Sequence, residues 1–170
     1  MSDAEFRPSI ALAVLLTHEV RFVVIGGLAA SLLGSSMTTN DLDICYARSD
    51  QNLIALSAAL HQLHAKLRGA PPDVPFQLDA ESLRNGDHLT FETDAGAVDI
   101  LGIPKGTKGF DQLTTDAVTV DFQGMQLQVA SLEQVIRMKE VAGRPKDRLG
   151  LEILAALREV IEEGDHPARE

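Results

Sequence analysis

The stretch from Phe22 to Tyr46, FVVIGGLAASLLGSSMTTNDLDICY, constrains the fold of this chain more than any other. The apolar run Phe22 to Ile25 predicts an interior strand covered on both faces, and it stops at Gly26-Gly27. A short helix of small residues, a polar loop and a second strand carrying Asp41 and Asp43 are expected to follow. Side chains alternate along a strand, so Asp41 and Asp43 share one face while Leu42 and Ile44 take the other. Two carboxylates ~4 Å apart repel by ~4 kcal/mol at an effective dielectric of about 20. A cation between them relieves that repulsion, and a divalent metal is the obvious candidate.

On either side of this unit the patterns are those of a mixed structure. Pro8 suits the first turn of a helix running toward Val20. Asp50 is placed to cap a helix on which Leu53, Leu56, Leu60, Leu63 and Leu67 recur at three- and four-residue steps. His61 and His64 fall on that helix one turn apart; with no third ligand beside them they read as solvent-side histidines. Gly69 to Pro75 is a loop within the domain. His88 to Thr93 and Ala97 to Leu101 read as strands joined at Asp94-Ala95-Gly96, and the second carries Asp99 between Val98 and Ile100. A buried carboxylate in such company needs a partner. Pro104 to Gly109 is a solvated connector; Val118 to Phe122 and Met125 to Val129 form a hairpin turning at Gln123-Gly124.

Ser131 to Gln134 matches a capping box and opens a helix whose buried face carries Leu132, Val135 and Ile136, with Lys139 in the middle of it. Either the Lys139 amine snorkels to water or it reaches a negative site at the edge of the core. Gly143 ends that helix, Pro145 restarts one, and Leu149, Ile153, Leu157 and Val160 are expected to line its inner side. Lys146 and Asp147 sit in its first turn, and the tail from Gly164 is expected to fray. These patterns predict an α/β (α+β) fold: a mixed central sheet of about five to six strands with packed helices and a C-terminal helical segment. Residues 1–130 form the core and 131–170 the helical segment, together one compact domain.

Composition narrows the partners. With 25 acidic and 15 basic residues the formal charge is -10, which disfavours extended contact with a phosphate backbone. Cys45 is the only cysteine, so no internal disulfide forms, and it reads as a small buried apolar group in a reducing compartment. The start MSDAEFRPS has no basic leader, and the early apolar run Ile10 to Leu16 is too short to cross a bilayer. A cytoplasmic protein is expected.

Three strand-borne aspartates, Asp41, Asp43 and Asp99, make an oxygen site suited to Mg²⁺, which favours a few carboxylates plus substrate phosphates. Gly26 and Gly27 leave room for a polyphosphate to approach backbone N–H groups at a helix start. VVIGG, thirteen residues, DLDI, and VDI around Asp99 together resemble the DNA polymerase beta-like nucleotidyltransferase superfamily. Among its branches the chain is most similar to the small prokaryotic enzymes of minimal-nucleotidyltransferase and abortive-infection (AbiEii-like) type, some of them in toxin-antitoxin systems. KEVAGRPKDRLGLEIL is similar to the lysine-rich segment of that branch.

The resemblance implies one or two Mg²⁺ ions on Asp41, Asp43 and Asp99, with Asp99 also a general base, and an NTP held by Gly26, Gly27, Thr39, Lys139 and Lys146. It implies transfer of a nucleoside monophosphate to an acceptor hydroxyl on a protein, tRNA or small molecule. Members often carry an arginine where this chain has Met37 and a second aspartate where it has Gly150. Those departures motivate an alternative, a catalytically silent nucleotide-binding or antitoxin-like partner protein. A third possibility has three acids that never meet.

Overall fold

Strand β1 (Phe22–Ile25) is buried along its whole length and lies inside the sheet, as its unbroken apolar run requires. Around it the computed structural model, which describes residues 4–71, 73 and 75–164, places α1 (Pro8–Thr17), α2 (Gly26–Leu32), β2 (Asp41–Tyr46), α3 (Asp50–Gln62) and β3 (Lys66–Leu67). The chain continues through α4 (Ala80–Asn85), β4 (His88–Thr93), β5 (Gly96–Leu101), α5 (Phe110–Thr114), β6 (Val118–Phe122) and β7 (Met125–Val129). Two C-terminal helices follow, α6 (Leu132–Ala142) and α7 (Asp147–Gly164). The strands form one mixed seven-stranded sheet in the order β3-β4-β5-β2-β1-β7-β6. β2 runs antiparallel to β1 and parallel to β5; β7 runs parallel to β1.

The sheet exceeds the expected strand count because of β3. His64 takes a left-handed backbone (φ 52°) just past the end of α3, which turns the chain before Leu67 can add another turn. Leu67 therefore pairs with Phe91 on β4 and does not extend the helical stripe. Ser49, and not Asp50, caps α3 by accepting from the Asn52 backbone N–H. Ser131 caps α6 in the same way, but Gln134 returns no bond: its Oε1 is buried without a partner, so the capping box is half made.

Leu42, Ile44, Phe91, Val98 and Ile100 meet Leu12 and Leu15 of α1 and Leu53, Leu56 and Leu60 of α3 in the core. The aspartates lie on the other face of the strands. The inner side of α7 differs from the expected one: Leu149 is 59% exposed and Val160 65%, while Asp147, Gly150 and Leu154 are buried. An aspartate and a glycine hold positions a hydrophobic pattern cannot reveal. Residues 165–170, where fraying was expected, lie outside the described residues. No helix among those described is long and apolar enough to cross a membrane.

Candidate metal centre

Parallel pairing of β2 with β5 sets Asp43 directly across from Asp99, and Asp41 lies two residues earlier on the same face. One oxygen from each of the three lies within 4.8 Å of the others. Crowding has an electrostatic consequence. Burial, then the charges of Asp41 and Asp99, push the Asp43 carboxyl up to about 8. Burial also raises Asp99, against a hydrogen bond from Asp43 that lowers it. Apart from that carboxyl proton, Asp99 Oδ1 is buried with no hydrogen-bond donor. A buried oxygen without a partner, in a cluster that holds protons for want of counter-charge, is what a cation would satisfy, so the donor set fits a hard divalent ion.

The glycine pair is explained by its neighbours. Gly26 has φ +68°, and a Cβ there would fall on the Asp43 carboxylate. A Cβ on Gly27 would lie 2.8 Å from Thr39 Oγ1. Thr39 in turn donates to Asp41, its Oγ1 3.2 Å from the backbone oxygen and 3.3 Å from Oδ1. The start of α2 is thus seated directly on Asp43 of β2 and on Thr39 just before that strand.

Lys139 takes the second of the two paths open to it. Its Nζ lies 3.5 Å from Asp147 Oδ1, and Arg144 grips the same carboxylate through Nε at 2.8 Å and a second nitrogen at 3.2 Å. Asp147 is 2% exposed. Burial pushes its carboxyl up, yet the Arg144 bonds and the Lys139 charge hold it below the ordinary value. Lys146 is exposed and makes no ion pair among the described residues. Arg144 escaped the sequence reading, although its position three residues before Asp147 is a pairing distance around a turn. Hydrogen bonding to Asp147 first, then the charges of Asp147, Asp43 and Asp41, raise its pKa against the effect of burial. Met37 and Gly150 meet: a Cβ on Gly150 would be 3.5 Å from Met37 Sδ and 3.4 Å from Lys139 Nζ.

The remaining candidates stay outside the centre. Cys45 is fully buried and burial pushes its thiol up to about 12, so it packs as a neutral group. His61 and His64 are exposed and bind the Leu78 carbonyl and the Asp94 carboxylate respectively; the sequence had placed no carboxylate beside them. A cavity of about 290 Å³ between Leu16, Phe22, Phe110 and Leu127 opens at the far end of β1 and touches none of the acids.

No protein-family model matches this chain, and no curated protein matches it. Solved structures do. A Thermotoga maritima protein, TM1012, provisionally described as a nucleotidyltransferase, aligns over 94% of this chain and 97% of its own at 19% identity and TM-score 0.51. The lincosamide antibiotic adenylyltransferase LnuA, in its lincomycin-bound form, aligns over 88% and 95% at 12% identity and TM-score 0.60. ANT(2")-Ia, in complex with adenylyl-2"-tobramycin, aligns over 92% and 95% at 14% identity and TM-score 0.53. The chain has the nucleotidyltransferase fold.

Proposed function

We propose that this protein is a metal-dependent nucleotidyltransferase that moves a nucleoside monophosphate from an NTP to an acceptor hydroxyl. One observation carries the reading: Asp41, Asp43 and Asp99 converge on one point of the sheet, crowded, and with an unpartnered buried oxygen. The shared fold of LnuA and ANT(2")-Ia, named as transferring adenylyl groups in one case and holding an adenylylated antibiotic in the other, supports it.

Bound to the three carboxylates, Mg²⁺ would neutralise developing phosphate charge and orient the triphosphate. Gly26, Gly27, Thr39, Lys139, Arg144 and Lys146 are assigned to the nucleotide. The acceptor oxygen forms its bond to the α-phosphorus as the bond to the β-phosphate bridge breaks. Pyrophosphate leaves, and the acceptor's proton passes to Asp99 as general base. Residues 1–130 act as the core and 131–170 as the segment that brings the cations to it. The minimal-nucleotidyltransferase or abortive-infection type, a toxin-antitoxin protein partner and a cytoplasmic setting are part of this proposal through sequence resemblance and the single cysteine.

The silent alternative rests on Met37 and Gly150. Their contact, beside the Lys139 amine, favours reading them as one local replacement. Purified protein with Mg²⁺, labelled NTPs and cell extract should label an acceptor, and Asp43→Asn, still folded, should not. Nucleotide binding with no pyrophosphate release over many hours would decide for the silent reading.

A further inference from the structure

The face of the sheet that carries the acids continues past Asp99 onto β4 and β3. Thr90 stands directly across from Asp99, with His88 and Glu92 two residues to either side on the same face of β4. Lys66 stands across from Glu92, and Arg68, two residues on, bonds Glu92 Oε1 through Nε at 2.7 Å. The alternate residues Leu67, Phe91 and Val98 turn to the opposite, core side. Lys66, Arg68 and His88 are exposed and Thr90 and Glu92 half-buried, so the strip is open to solvent beside the metal centre.

From these placements we infer that the β4–β3 strip is the acceptor side of the site and takes a hydroxyl compound that also bears a phosphate. The inference rests on the nucleotidyl-transfer reading and names the acceptor class within it. Glu92 is the one carboxylate within ion-pair distance of Arg68 among the described residues, and Lys66 makes no ion pair among them, on a chain whose formal charge is -10. The Glu92 hydrogen bond chiefly, and then the fields of Asp99 and Asp41, raise the Arg68 pKa, and His88 acts on Asp99, so the strip and the acids share one electrostatic neighbourhood. The transfer reading assigns Lys139 and Arg144, on the C-terminal segment, to the triphosphate. Lys66 and the remaining donors of Arg68 are open to a second anion.

Geometry limits that anion's size. Adjacent strands lie about 4.8 Å apart, so β3 stands roughly 10 Å from β5. With a hydroxyl at Asp99, a phosphate at Lys66 and Arg68 falls within one sugar-phosphate unit. Glu92 engages one of the five guanidinium donors of Arg68 and leaves others for a phosphate. The strip holds a single phosphate and not a backbone, in keeping with the acidity of the whole chain.

Calorimetry tests this with ribose 5-phosphate, ribose, and a short single-stranded RNA with a free 3′-hydroxyl, alongside Mg-ATP. Ribose 5-phosphate, the RNA, or both should bind about tenfold tighter than ribose. Arg68→Gln should abolish that preference in a protein that stays folded and still binds Mg-ATP, and Lys66→Gln should weaken it. Whether the sugar phosphate or the RNA binds tells a free metabolite from a nucleic-acid end. Equal binding of ribose and both phosphate probes, or a preference that survives in Arg68→Gln, overturns the inference whatever Mg-ATP does. Loss of Mg-ATP binding in the wild type, with the Arg68-dependent preference intact, overturns the transfer reading and leaves the phosphate strip standing.

Discussion

Asp43 is held in two conflicts at once, buried and set against two like charges, and each has a measurable sign. Its folded carboxyl stays protonated up to about 8 where an unfolded aspartate loses its proton near 4. Above about pH 4 the metal-free folded state therefore binds more protons than the unfolded one, and stability falls as pH rises toward 8. Asp43→Asn removes the conflict. In EDTA at pH 8 its thermal midpoint should exceed the wild type's by roughly 4–8 °C, for about 2 kcal/mol of relief, and at pH 4 the two should coincide. The same substitution should lower nucleotidyl transfer by about 10²-fold or more, since losing even an outer partner of a metal ligand costs 10–100-fold. A variant that stays active, or gains no stability at pH 8, would count against the assigned role of Asp43. Gly26 tests the neighbouring geometry: at φ +68° with Asp43 where its Cβ would go, Gly26→Ala should lose about 1–3 kcal/mol in denaturant melts and weaken metal binding. Gly69 also has a positive φ, +74°, but open space around it, so Gly69→Ala should lose only the backbone part and leave metal binding alone.

At the level of elements, the contact between the β1–β2 connection and α7 is the informative one. Met37 and Gly150 face each other across the Lys139 amine, where an arginine and an aspartate would form an ion pair. Met37→Arg alone should destabilise, setting an unpaired cation beside Lys139, and Gly150→Asp alone should crowd Asp147 with a second carboxylate. Together they should recover about 0.5–3 kcal/mol of coupling in a double-mutant cycle, read by urea melts. Additive effects would mean that the two positions do not communicate. The sequence betrayed most elements through periodicity: β1, β2, β4, β5 and the β6–β7 hairpin lie where alternation or apolar runs put them. It hid β3, because Leu67 keeps a helical step after Leu63 while the break comes from the backbone of His64, a residue with no helix-ending habit. It hid the inner side of α7 because Asp147 is buried by ion pairing and Gly150 by close approach, neither of which is hydrophobic. α4 and α5, of 6 and 5 residues, are too short to show a period.

Across the whole molecule the strand order turns local motifs into one centre. β2 and β5 are far apart in sequence, and only their parallel pairing puts Asp43 across from Asp99, so the meeting of the acids was legible as an expectation from pattern but its register was not. The effect of Arg144 on Asp43 was hidden for the same reason: its spacing to Asp147 is local, but its field reaches Asp43 only through tertiary packing. The pH behaviour of the intact protein follows from both ends. Asp147, held below its ordinary value, contributes stability above about pH 4 that is lost as pH falls through its folded pKa. Between about 4 and 8 that contribution is constant, and the slope belongs to the acid cluster. A divalent ion needs deprotonated ligands, so it must displace the proton on Asp43, and its affinity should rise with pH until about 8. Melting in EDTA should give a midpoint that declines from pH 5 to pH 8. With Mg²⁺ at about a hundred times its dissociation constant at pH 8, about 2.7 kcal/mol is regained, or roughly 5–11 °C, and the same concentration at pH 5 should give a smaller shift. Asp43→Asn should flatten both curves. A magnesium shift of equal size at the two pH values, or one that survives in Asp43→Asn, would place the ion somewhere other than on the three aspartates.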